Sequence, residues 1–111
     1  MKKILRPRPS LLVNLFLLLS TGLFAQTSWR GTTSTAWTTA ANWTAGVPTA
    51  TVDAIIGDAN FTGANQPSIS ATSNCKSLTV GGTVVSNLTV SKALTISGNL
   101  LINSNGTLLY D

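Results

Sequence analysis

SLTVGGTVVSNLTVSKALTISGNLLINSNGTLLY, residues 77–110, is a chain of short apolar triplets set between small polar spacers. The triplets begin at Leu78, Leu88, Leu94, Leu100 and Leu108. In the first three, a threonine separates two apolar residues: Thr79 between Leu78 and Val80, Thr89 between Leu88 and Val90, Thr95 between Leu94 and Ile96. Alternation with a period of two places the flanking residues on one face and the threonine on the other, so each triplet predicts a short strand. Leu78 and Leu100 are 22 residues apart, and Leu88 and Leu108 are 20 apart. One such period before Leu78 falls on Ile55–Ile56, within VDAII at 52–56, which also reads as a strand. Self-similarity near twenty residues is the scale of one coil of a β-solenoid. The spacers at 81–82, 97–99 and 103–106 are GG, SGN and NSNG, residues that tolerate left-handed backbone at corners.

An antiparallel β-sandwich is the alternative. Gaps of ten, six, six and eight between triplets suit it too. Hairpin dipeptides are few, however, and strands of three residues pair poorly outside a stack. These points favour the solenoid.

Upstream, the texture changes. Residues 26–51, QTSWRGTTSTAWTTAANWTAGVPTAT, hold all three tryptophans, Trp29, Trp37 and Trp43. A stack of coils exposes apolar core and unpaired backbone at its end, so repeat proteins carry atypical terminal caps. Indoles are large enough to cover a first coil. Residues 26–51 are therefore expected to be an aromatic N-terminal cap and residues 52–111 the first coils. Pro48, which lacks an N–H, would blunt an edge. GDANFTGANQPS at 57–68 reads as a turn-rich connection.

Residues 1–25 read as a secretory signal peptide. Lys2, Lys3, Arg6 and Arg8 make a basic start, LLVNLFLLL at 11–19 an apolar centre, and Ala25 a small residue at the cut. The apolar run is short for a membrane span, and Asn14 interrupts it. The expectation is an exported protein, secreted or held at the cell surface, with no membrane span after cleavage. Four of the chain's seven cationic residues belong to this segment. Residues 26–111 set Arg30, Lys76 and Lys92 against Asp53, Asp58 and Asp111, a formal net charge of zero. That argues against nucleic acid or an anionic membrane as partner. The same 86 residues contain 16 Thr, 10 Ser and 8 Asn, as expected for β-structure with a neutral, hydroxyl-rich surface. One cysteine, Cys75, rules out an internal disulfide and reads as a small buried residue.

The pattern Trp29-x-Gly31, Trp37, Asn42-Trp43-x-x-Gly46-x-Pro48 and Asp53-x-Ile55-Ile56 resembles the N-terminal opening of large bacterial surface proteins with right-handed β-helix, autotransporter-passenger-like repeats. Many of these are cargo of the type IX export route. The resemblance covers roughly residues 28–111. It implies a right-handed parallel β-helix whose first coils follow an aromatic start. It also implies a structural or adhesive function without catalysis in this segment, with surface glycans or polysaccharide as partners. Unlike those proteins, the sequence stops within a coil at TLLYD, without a C-terminal cap or sorting domain, so a fragment is expected. Two other functions are compatible: the non-catalytic start of a β-helical polysaccharide-degrading enzyme, and a small carbohydrate-binding β-sandwich.

Little else carries chemistry. Asp58-x-Asn60-x-Thr62-Gly63 begins like a calcium loop, but its twelfth position is Ile69 where a bidentate Glu is needed, so an Asx-turn is expected instead. Asp53 and Asp58 have no reason to face each other as a glycosidase pair, and Asp53 is expected to bond backbone near the cap. With no histidine, no serine has a triad base. Asn42, Asn60, Asn87 and Asn105 stand in N-x-Thr acceptor patterns, expected by chance in so Asn- and Thr-rich a chain. Trp29, Trp37 and Trp43, with Phe61, are either the cap or a platform for stacking sugar rings. No catalytic residue, metal ligand or cofactor is assigned.

Overall fold

The computed structural model describes residues 25–111, so all but Ala25 of the expected signal peptide lies outside the described residues. The fold is all-β. Among the described residues nine short strands, β1 (Gln26–Ser28), β2 (Asp53–Ile56), β3 (Ser68–Ile69), β4 (Ser73–Cys75), β5 (Leu78–Val80), β6 (Ser86–Val90), β7 (Leu94–Ile96), β8 (Leu100–Ile102) and β9 (Gly106–Tyr110), are joined by turns and one 3-10 turn at Ala40–Asn42. Every apolar triplet of residues 77–110 lies in a strand.

The strands form three sheets. The first has the order β1-β2-β5-β8, the second β3-β6-β9 and the third β4-β7. From β2 onward the chain visits the first, second and third sheets in turn, then repeats the round, so each strand pairs with the one laid down a round earlier. All pairings between these strands are parallel, which an antiparallel sandwich does not have. Leu78 sits beside Leu100 and Leu88 beside Leu108, the two spacings seen in the sequence. One round earlier the register differs from expectation. Leu78 pairs with Ala54, and Ile56 with Val80, because the connection at 57–67 makes that round longer.

Stacking turns alternation into columns. Ala54, Leu78 and Leu100 form one inward column, Ile56, Val80 and Ile102 a second, Ile69, Val90 and Tyr110 a third. The threonines between them point out. In the middle of the stack the inward residues are sealed: Ile56, Ile69, Cys75, Leu78, Val80 and Leu88 are at most 1% exposed. Burial of a Leu, Ile or Val side chain contributes roughly 1.5–3 kcal/mol, so these columns are the main source of cohesion.

The corners depart from the expectation of left-handed spacers. Gly81 and Gly82 do turn through positive φ, at 90° and 134°, but residues 97–99 and 103–106 do not. Gly106 is needed for a different reason: a side chain there would run into the Val80 carbonyl of the strand above.

Candidate functional site

The two ends of the stack differ, and the features that bear on function lie at those ends and on the outward columns. At the leading end, β1 adds a polar strand to the first sheet. Its inward residue is Thr27, fully buried, whose Oγ1 donates to the Gly46 carbonyl at 2.8 Å and accepts from Ala45 N. Residues Trp43–Gly46 fold back along β1. Trp29 and Trp43 form an antiparallel bridge, and Thr44 N donates to the Ser28 carbonyl. Over the second sheet, Ala36 bridges to Ser68 in parallel fashion.

The three indoles fill the space this segment encloses. Trp29, Trp37 and Trp43 are 0, 1 and 2% exposed. Trp43 meets Trp29 edge to face at 5.1 Å and Trp37 at 4.9 Å. Trp29 Nε1 donates to the Asn65 carbonyl and Trp43 Nε1 to the Trp37 carbonyl, while Trp37 Nε1 has no acceptor. Phe61 is buried too, at 6%. The sequence therefore brings the three tryptophans together, but with no ring face free for a sugar. The stacking-platform alternative fails on burial.

Asn42 organises the loop around them, a role no sequence pattern signalled. It is fully buried, and its Oδ1 accepts from Thr33 N and Ser34 N while Nδ2 donates to Ser34 Oγ and the Ala36 carbonyl. Its amide is thus fully committed and closed to modification in the folded chain.

The aspartates are apart in role. Asp58 accepts from Asn60 N through Oδ1, the Asx-turn expected, and from Ser28 Oγ at 2.6 Å through Oδ2. Asp53 meets the cap through its backbone, beside Gln26 of β1, but its side chain does not bond there. Its Oδ1 accepts from Ser77 N, in the next round of strands. Cys75 faces inward, and burial, helped by the nearby Asp53 charge, pushes its thiol up from 9.0 to about 11. A protonated, enclosed thiol is a poor nucleophile. Among the described residues no three His, Cys, Asp or Glu gather where a metal ion could be held, and no helix is long and apolar enough to cross a membrane.

What remains accessible is of two kinds. Outward columns carry hydroxyls and amides, such as Asn74 with Thr95, Asn87 with Thr107, and Ser68 with Thr89. The trailing end carries bare apolar side chains, Leu100, Leu101, Ile102, Leu109 and Tyr110.

The model of a domain of unknown function (DUF8693) matches residues 28–110, from the tryptophan segment to the last strand. The chain belongs to that family. No curated protein and no solved structure matches it.

Proposed function

We propose that residues 26–111 are an exported, non-catalytic module: the capped leading end of a right-handed parallel β-helix, acting as a structural or adhesive part of a cell-surface or secreted protein. The observation that carries this reading is the cyclic return of the chain to three sheets in parallel register. The right hand follows from the strong preference of parallel strand-crossover-strand connections within one sheet. Export rests on the basic and apolar opening of residues 1–25. The likeness to type IX cargo belongs to the same proposal.

The outward face suits an adhesive role better than a catalytic one. Its columns offer repeated hydroxyl and amide groups with little charge, so they meet a glycan or another surface through many weak hydrogen bonds. Each typically nets only about 0.5–1.5 kcal/mol. Among the described residues, Asp53 and Asp58 bond to Ser77 N and to Ser28 Oγ and Asn60 N rather than to each other.

The test is expression of the full chain in an exporting bacterial host, with intact mass, cell fractionation and a glycan panel. The reading expects a mature N-terminus at Gln26, recovery outside the cytoplasm, and glycan binding that is weak and insensitive to salt. An uncleaved cytoplasmic chain would sink the export reading. Turnover of a polysaccharide that requires Asp53 or Asp58 would replace adhesion with catalysis.

A further inference from the structure

Asn105–Gly106 is the one place in the chain where glycine follows asparagine. Packing calls for both residues. Gly106 opens β9 beside Ser86, where a Cβ would collide with the Val80 carbonyl, so only glycine fits. Asn105 clamps the corner of the preceding round. Its Oδ1 accepts from Gly82 N at 2.7 Å and its Nδ2 donates to the Gly82 carbonyl at 2.9 Å. One amide thus satisfies both backbone groups of a glycine turned to a φ of 134°.

The same pair is chemically weak. Asparagine is a thermolabile residue, and a following glycine has no side chain to obstruct attack on its amide. In a free chain the Gly106 nitrogen passes its proton to solvent and attacks Asn105 Cγ. A new N–Cγ bond forms, the Cγ–Nδ2 bond breaks, and Nδ2 leaves as ammonia with a proton taken back from solvent. The product is a five-membered succinimide, which water then opens. Hydrolysis at Cγ leaves aspartate. Hydrolysis of the original main-chain bond leaves isoaspartate, with one more carbon in the backbone. The net change is one water taken up and one ammonia lost.

The fold withholds each reactant. Gly106 N donates to the Asn103 carbonyl at 2.9 Å, which holds its proton inside the turn. Both polar atoms of the Asn105 amide are engaged by Gly82, and the Asn105 carbonyl accepts from Ser86 N. Ring closure consumes the Gly106 N–H and Nδ2, and with them two of these bonds. It therefore requires residues 103–106 to leave the Gly81–Gly82 corner.

We infer that Asn105–Gly106 is a fold-gated modification site, protected while this corner is closed and converted to aspartate or isoaspartate once it opens. Conversion prevents re-closure. The aspartate product sets a carboxylate oxygen opposite the Gly82 carbonyl, where Nδ2 had donated. Isoaspartate lengthens the main chain just ahead of Gly106, which has no room against Val80 to shift. An opening that lasts long enough for ring closure thus leaves a permanent mark. Asn103 shares the turn and donates from Nδ2 to the Gly81 carbonyl, but serine follows it, so it reacts more slowly when the corner opens.

The test is incubation of the full chain at mildly alkaline pH over a urea series, with digestion and mass spectrometry of the peptide that holds residue 105. Tryptophan fluorescence follows the cap in the same samples. Conversion in native buffer is expected to be at least about tenfold slower than in the unfolded chain, and to accelerate at urea concentrations that leave the cap intact. Gly81→Ala sets a Cβ 2.7 Å from Asn105 Oδ1 and Gly106 N. It is expected to speed conversion in native buffer roughly tenfold, with cap fluorescence retained. Asn105→Asp supplies the product in advance, and is expected to lose amide-exchange protection at Gly82 and Ser86 while β2 and β5 keep theirs. Equal rates in native buffer and in urea overturn the inference. So does a native rate that Gly81→Ala leaves unchanged in a folded chain; where that variant does not fold, a wild-type rate that rises only with loss of the cap overturns the corner as the gate. Undiminished protection of Gly82 in Asn105→Asp overturns the permanent mark.

Discussion

Asn42 donates twice and accepts twice with one side chain, and all four bonds tie residues 33–36 to the 3-10 turn that leads into Trp43. Asn42→Ala leaves two backbone N–H groups and a carbonyl without their partner inside the cap. A single unsatisfied buried group costs about 1–3 kcal/mol, and the loop can relax toward water for part of it. A loss of about 3 kcal/mol in urea unfolding is expected; a loss under about 1 kcal/mol would mean that the loop is held by the indoles alone. Cys75 makes a prediction of a different kind. Its thiol titrates at about 11 in the folded chain against an ordinary 9.0. The folded state therefore holds its proton more tightly than the unfolded state does. The stability this supplies is complete below pH 9.0 and is lost as pH rises towards 11. Cys75→Ser, whose hydroxyl does not titrate there, is expected to remove that part of the alkaline decline. Iodoacetamide at neutral pH should label wild-type Cys75 only after denaturation.

Among the strands, those with two apolar residues in alternation were legible from residues 77–110 alone, and the β5–β8 and β6–β9 registers followed from the 22- and 20-residue spacings, whereas the pairing of β7 with β4 did not. The strands that escaped are the polar ones. β1 is QTS, β3 is SI and β4 is SNC. Their inward positions are filled in part by Thr27 and Ser73, whose hydroxyls donate to the Gly46 and Ala71 carbonyls. A buried hydroxyl with a partner looks like a surface residue in a hydropathy pattern. The tryptophan cluster announced a covered end, but not Asn42, since nothing in a local pattern distinguishes a buried amide from the other seven asparagines of residues 26–111. The corner at Gly81 was legible in type, and it is held by the asparagines of the next round: Asn103 Nδ2 donates to the Gly81 carbonyl, and Asn105 Oδ1 accepts from Gly82 N. A Cβ at Gly81 would stand 2.7 Å from both Asn105 Oδ1 and Gly106 N, at a φ of 90°. Gly81→Ala is expected to cost about 2–3 kcal/mol, strain and clash together. Thermal melting checks this against Gly46→Ala, where φ is also positive but nothing stands within 4 Å, so strain acts alone and the cost is smaller.

For the whole molecule, the stack makes stability a local quantity. Each round pairs its strands only with the rounds beside it, and the Ser97 Oγ bond to the Ala50 carbonyl is a side-chain contact that reaches past one round, so cohesion is mainly a sum of intrinsic and nearest-neighbour terms rather than one shared core. The leading end is sealed by three indoles and a folded-back edge, while the trailing end leaves Leu100 and Tyr110 open. Amide exchange in the isolated monomer should therefore be graded. Protection is expected to be highest in β2, β5 and β6, which have neighbours on both sides, and lowest in β8 and β9, which have one. Trp43→Ala provides the control. It removes the ring that contacts both other indoles, at a cost of about 3–5 kcal/mol. If stability is nearest-neighbour in character, exchange rises in β1 of the cap and in β2 and β3 beside it, while β8 and β9 barely change. A uniform rise in every strand would show instead that the 26–111 stack opens as one cooperative unit, and that the cap stabilises its far end as strongly as its near one.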